Sequence, residues 1–172
     1  MTLEEKLALQ YVKCDLACGL NMHGGKDSEW IHIDHDPADG MDIVSGWNEL
    51  DKHLEPKSID ELHFSDAIEH IRTWESDITM GQINRVIKTG GIFWGTTPNR
   101  DYIFKAGTQG LQNEEWIQRN LFGDGNGYGH THYRVFTKPL LKEYLEKYGF
   151  GEVEFKPIEQ WIHWTCKKLR DV

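Results

Sequence analysis

Three shortages bound what this chain can be. Cysteine is scarce: Cys14, Cys18 and Cys166 form an odd set without a CxxC pair. That argues against a disulfide framework and a zinc ribbon, and free thiols of this kind suit a reducing compartment. No apolar run approaches a membrane span, and the opening MTLEEKLALQ is acidic rather than an apolar leader. A soluble, cytoplasmic protein is therefore expected. Positive charge is short as well. A net charge of −9 leaves no basic surface to neutralise phosphates, so neither nucleic acid nor an anionic membrane is an expected partner. The dinucleotide fingerprint GxGxxG is missing too.

What is present is enough chain, 172 residues, for one domain with a proper core, and an aromatic content of 12% that argues against disorder. Short apolar runs alternate with turn signals: YVKCDLA, WIHIDHDP, MDIVSG, SIDELHFSD and GGIFWGTTPN read as five strands. Between the last two, Met80, Ile83, Val86 and Ile87 recur at helical spacing, with Gly90 as the expected stop. FTKPLLKEYLEKYGF reads as a helix capped by Thr137, with Pro139 in its first turn, an apolar stripe of Leu141, Tyr144, Leu145 and Tyr148, and Gly149 at its end. The tail reads as two more strands. Strands interleaved with helices predict an α/β domain with a mostly parallel sheet.

In such sheets ligands sit at the carboxyl ends of the strands. Four of these ends are polar: Asp15 to Asn21, Asp34 to Asp36, Ser45 with Gly46, and Ser65 with Asp66. Together they suit a zwitterionic cofactor that contains a nucleoside. Asp34 would accept from a ribose diol, although a turn into Pro37 also explains an Asp there. Asp15 and the carbonyls near Ala17 would accept from an α-amino group, although Asp15 alone also fits a turn cap. Gly19 permits close backbone approach. The turn Ile43-Val44-Ser45-Gly46-Trp47 would take the adenine.

In this order the pieces resemble the class I S-adenosylmethionine-dependent methyltransferases. The resemblance runs from about Val12 to Lys167 through CDLACGLN, WIHIDHDP, MDIVSGW, SIDELHFSDAIEHI, INRVIKTGGIFWGTTPN and HYRVFTKPLLKEYLEKYGFGEVEF. It implies a Rossmann-like methyltransferase fold: a seven-stranded, mostly parallel sheet with the last strand antiparallel and helices on both faces, over residues 1–172 as one domain. It also implies S-adenosylmethionine as cofactor, with S-adenosylhomocysteine as product. Asp15, Ala17, Cys18, Gly19, Asn21, Asp34, His35, Ser45, Gly46, Trp47, Ser65 and Asp66 are then the cofactor-binding candidates. Three departures stand out. Ala17 and Asn21 replace glycines common in the family, the link from Asn21 to Trp30 is too short for a full crossover helix, and Gly46 stands where relatives often place an acid.

Glu69 and His70 match a recurrent pair of the family, Glu69 with a structural role as the alternative. The nine histidines show no HExxH or paired Cys/His spacing, so no metal site is expected. His130 and His132 alternate on an extended segment and can share a face. His132 and His70 are the candidate catalytic groups, contacting the acceptor or serving as general base. Residues 100–133 read as an insertion above the strand ends, a lid or acceptor wall, with a helix capped by Asn113. Tyr102, Phe104, Trp116, Phe122 and Tyr128 would build the wall or simply anchor it. Trp94, Trp161 and Trp164 are expected in the core or packed on the sheet. The reaction expected is methyl transfer to a small molecule or a glycan. The alternatives are a non-catalytic module that binds S-adenosylmethionine or S-adenosylhomocysteine and, less favoured, a nicotinamide-dependent oxidoreductase.

Overall fold

Alternation of apolar and polar residues along the strands decides how this chain stacks. The computed structural model describes residues 1–124 and 130–172; Tyr128, counted above in the aromatic wall, lies outside them. A short helix α1 (Leu3–Leu7) precedes strands β1 (Lys13–Leu16), β2 (Ile31–Asp34), β3 (Ile43–Val44) and β4 (Ile59–His63). Helix α2 (Ser76–Val86) leads into β5 (Ile87–Pro98). Helices α3 (Arg100–Thr108), α4 (Glu114–Phe122) and α5 (Lys138–Lys147) follow, then β6 (Phe150–Phe155) and β7 (Trp161–Lys168). The sheet order is β3-β2-β1-β4-β5-β7-β6, parallel except for β7, which runs antiparallel to β5 and β6. This is the α/β sheet that the resemblance implied, with α2 and α5 packed on one face.

Register gives the sheet one apolar and one polar face. Cys14 lies beside Ile31 and Leu62, Leu62 beside Phe93, and Phe93 beside Cys166, all on the face that meets Met80, Ile83 and Val86 of α2 and Leu141 and Leu145 of α5. One position along, Asp15 lies beside His32 and His63, His63 beside Trp94, and Trp94 beside Thr165. Because side chains alternate with a period of two, these share the opposite face. No helix forms between β1 and β2: residues 17–30 run as turns. The His23 ring in this link packs against Trp30, His63 and Trp94 with centroids 4.7, 4.8 and 5.3 Å away. Farther along, over β5 and β7, this face is open as a groove of about 400 Å³ floored by Glu61, Ile92, Trp94, His163 and Thr165.

Local chemistry explains the helices. Thr137 accepts from the Leu140 amide at 3.3 Å and Pro139 sits in the first turn of α5. Asn113 accepts from the Trp116 amide at 2.8 Å at the start of α4. Two expectations need correction. Helix α2 stops at Val86 rather than at Gly90, because Ile87 turns extended and pairs with Ile59. Helix α3, started by the Asn99 side chain on the Asp101 amide, was not anticipated. Among the described residues, no helix is long and apolar enough to cross a membrane.

Gly95 marks where β5 comes closest to the end of β4. A Cβ there would lie 2.0 Å from the Phe64 carbonyl oxygen. Gly95→Ala should therefore cost about 1–3 kcal/mol by overpacking, lowering the midpoint of thermal unfolding by several degrees; an unchanged midpoint would show that the strands separate freely.

Candidate functional site

Two buried carboxylates organise the carboxyl ends of the strands. Asp15, at the end of β1, receives the His23 amide on Oδ2 at 2.7 Å, and its Oδ1 lies 2.7 Å from His63 Nδ1. His63 Nε2 is 2.7 Å from Ser65 Oγ. A carboxylate can only accept, so Nδ1 carries the proton, and in the neutral imidazole Nε2 accepts the Ser65 hydroxyl. The Ser65 oxygen then turns its lone pairs outward. Asp34, at the end of β2, accepts the Gly19 amide on Oδ2 at 2.9 Å and the Asp36 amide on Oδ1 at 3.0 Å, with His35 Nδ1 at 3.1 Å.

Between these carboxylates lies a cavity of about 570 Å³. All twelve cofactor candidates line it: Asp15, Ala17, Cys18, Gly19, Asn21, Asp34, His35, Ser45, Gly46, Trp47, Ser65 and Asp66. Ala17 and Gly19 both take positive φ, 55° and 52°. A Cβ on Gly19 would meet no protein atom within 4 Å, so the space beside that backbone is left to a ligand. Volume, acceptors and open backbone all fit a nucleoside-containing ligand. Burial, with Asp15 and Asp34 close by, pushes the Cys18 thiol up to about 12. His63 was missed at the sequence level although it faces the cavity; only the alternation along SIDELHFSD, which gives it the same face as Asp15, could have found it.

A second cavity of about 220 Å³ adjoins the first, and Asp66, His70, Arg119 and His130 line both. Its other walls include Glu69, Asn120, Asp124, His132 and Trp161. Glu69 is buried, accepts from Thr97 Oγ1 at 3.0 Å, and has its carboxyl pushed up to about 8 by burial and the nearby Asp66. The His70 imidazole is pushed down to about 4 by burial, and burial also lowers His132. Both are neutral at pH 7. Their rings meet edge to face with centroids 4.8 Å apart.

The contact between Tyr102 and Trp116 agrees with the anchoring alternative for the insertion's aromatics. Tyr102 and Trp116 pack on each other, Phe104 and Phe122 are exposed, and none of these four lines either cavity. The insertion instead contributes the polar residues Arg119, Asn120, Asp124, His130 and His132. Trp164 is buried and Trp94 packs on the polar sheet face against His63, its indole N–H on Glu61 Oε1 at 2.8 Å, as expected, whereas Trp161 lines the second cavity. Asp66, with positive φ, caps no helix by its side chain; it accepts from Thr96 Oγ1 at 3.1 Å.

Comparison with known proteins bears on this geometry. The model of the family described as "Methyltransferase domain" matches residues 4–154. No curated protein sequence matches the chain. Among solved structures, an S-adenosylmethionine-dependent methyltransferase from Archaeoglobus fulgidus superposes with a TM-score of 0.63 at 17% identity, over 90% of this chain and 85% of that one. The 1,6-didemethyltoxoflavin-N1-methyltransferase of Burkholderia thailandensis, bound to 1,6-didemethyltoxoflavin and S-adenosylhomocysteine, gives 0.60 at 14% identity, over 98% and 75%. An S-adenosylmethionine-dependent methyltransferase from Methanosarcina mazei gives 0.58 at 14%, over 99% of both chains. At such identities the structural likeness is one of fold, and it is the family model that leaves the nicotinamide alternative without support. With nearly its whole length matched by that model, the chain belongs to the methyltransferase domain family, the class I S-adenosylmethionine-dependent methyltransferases.

Proposed function

We propose that the chain transfers the methyl group of S-adenosylmethionine to a small-molecule acceptor held in the second cavity. The observation that carries this reading is the junction of the two cavities, whose shared lining of Asp66, His70, Arg119 and His130 puts acceptor space next to cofactor space. The bound acceptor of the Burkholderia thailandensis relative, a small heterocycle, agrees with it. So does the acidic charge of the chain, which disfavours a polyanionic acceptor.

In this reading Asp34 accepts from the ribose diol while its bond to the Gly19 amide holds the loop against the cofactor. Ser45, Gly46 and Trp47 border the adenine. Ser65, presented by His63, and Asp66 face the methionyl end, where the ammonium needs acceptors. Asp15 supports this end through His63 and the His23 amide. The sulfonium is already activated, so the protein's work is alignment of nucleophile, methyl carbon and sulfur. His70 and His132, neutral at pH 7, belong to the acceptor side.

Two outcomes are expected. Asp34→Ala should weaken S-adenosylhomocysteine binding by at least about 1 kcal/mol, the scale of a lost charge-assisted hydrogen bond, while His132→Ala leaves it unchanged; calorimetric titration of the folded variants reads both. An Asp34→Ala variant with parental affinity would remove the ribose assignment. Cys18 should alkylate at least about 100-fold more slowly than free cysteine at pH 8, because only the thiolate reacts. The rate should still be climbing tenfold per pH unit at pH 10, and S-adenosylhomocysteine should slow it further. Mass spectrometry of iodoacetamide-treated protein checks this, and a plateau near pH 9 would contradict it.

A further inference from the structure

Glu69, His70 and His132 form a cluster of acceptors. Glu69 and His70 lie in the short 3₁₀ turn Ile68–His70 after β4, and His132 comes from the segment after α4. One potential ligand atom from each falls within 4.8 Å of the others. The tautomers are set by the backbone. His70 Nδ1 lies 3.0 Å from the Thr131 carbonyl oxygen, and His132 Nδ1 lies 3.0 Å from the Asn120 carbonyl oxygen. A carbonyl only accepts, so each Nδ1 carries the proton and each Nε2 bears a lone pair. This is how ligating histidines are oriented by their outer partners. Thr97 likewise fixes Glu69 through Oε2.

The two segments are tied together, so the convergence is built rather than incidental. The Glu69 carbonyl accepts the Tyr133 and Arg134 amides at 2.9 and 3.3 Å, and the His132 amide donates to the Phe122 carbonyl at 3.0 Å. Two imidazole lone pairs and the Glu69 carboxyl lie within 4.8 Å of one another, and a cation bound between them would displace the proton that burial keeps on Glu69. Two histidines and one carboxylate are a recurrent three-residue set for a first-row divalent ion with open positions. Those positions would face a cavity contiguous with the cofactor pocket.

Resting on the methyl-transfer reading of the adjoining cavities, we propose that Glu69, His70 and His132 bind one divalent transition-metal ion, which holds an acceptor through its hydroxyl oxygen. Bond lengths of about 2.1 Å draw the three side chains inward from their present spacing. The bound hydroxyl loses its proton more readily, and that proton passes to solvent. The oxygen then attacks the methyl carbon, an O–C bond forms as the S–C bond breaks, and the electron pair stays on sulfur. The products are a methyl ether and S-adenosylhomocysteine. The site departs from the expectation of no metal because its ligands are separated by about sixty residues, which no local spacing reveals.

The test uses the full chain with any affinity tag removed, stripped by chelator and titrated with Zn2+ alone against a chromophoric competitor, then with Co2+ alone by visible absorption. One ion per chain is expected. Glu69→Gln and His132→Ala should each weaken binding by at least about 100-fold, beyond the losses typical of outer partners, with circular dichroism confirming their fold. S-adenosylhomocysteine binding by His132→Ala should match the parent. Parent protein that binds neither ion, or variants that bind as tightly as the parent, would overturn the metal site even with S-adenosylhomocysteine bound normally. Tight ion binding lost in the variants supports the site. If S-adenosylhomocysteine fails to bind any of these proteins, the methyl-transfer reading and the ion's role on the acceptor fall, while the ion site stands or falls on the titrations alone.

Discussion

The pocket depends on how fourteen residues without a helix are held between two parallel strands. Leu16 ends β1 and Ile31 begins β2, and the connection between parallel neighbours has to travel back across the sheet, a job usually given to a helix that satisfies its own amides. Residues 17–30 lack that internal ladder. The strand-end carboxylates do part of its work: Asp34 takes the Gly19 amide and Asp15 takes the His23 amide. These bonds to buried carboxylates are the strong kind. The same two carboxylates line the larger cavity, so the link's stability and the pocket's shape share one set of interactions. Truncating either acid removes a loop tether and a pocket acceptor together.

That arrangement follows from the asymmetry of the sheet. An ordinary parallel sheet is covered by helices on both faces and reads as apolar runs. Here the face carrying Cys14, Leu62, Phe93 and Cys166 meets α2 and α5 in one apolar cluster. The other carries Asp15, His63 and Trp94 beneath the ring of His23. Because the missing crossover helix left this face without an apolar cover, it can hold polar groups that satisfy one another. The chain Asp15–His63–Ser65 is one result, a polar network anchored on two adjacent strands and ending in the cavity.

Much of this was legible because it is local. Polar strand ends, the Thr137 and Asn113 caps and the too-short link are read from neighbouring residues, and the twelve cofactor candidates meet because parallel strands bring their carboxyl ends to one edge. Where tertiary pairing competes with local periodicity, the reading fails. Ile87 continues the helical spacing of Met80 and Ile83, yet its pairing with Ile59 makes it strand. The insertion left two readings open that residue type could not decide. Tyr102 and Trp116 pack edge to face on each other, as anchors would, and Phe104 and Phe122 are exposed. Trp161, placed in the core or on the sheet by its residue type, sits at the edge of the sheet and lines the second cavity.

The two cavities differ in what holds them, and this bears on how the molecule divides its labour. The larger one is built on β1, β2 and β4, whose residues Cys14, Leu16, Ile31, Ile33 and Leu62 are fully or almost fully buried. The smaller one closes only when the segment after α4 reaches the Ile68–His70 turn, through amide bonds to the Glu69 carbonyl and the bridge between Gly123 and Thr131. Among the described residues, the contacts that join these two segments include those backbone hydrogen bonds, the His70 ring on the Thr131 carbonyl and the meeting of the His70 and His132 rings. If the smaller cavity holds the acceptor as proposed, whatever binds between the two segments also favours their closure, while most of the larger cavity's lining comes from the strand ends. A ligand bridging Glu69, His70 and His132 acts at that seam, where binding and closure are one event.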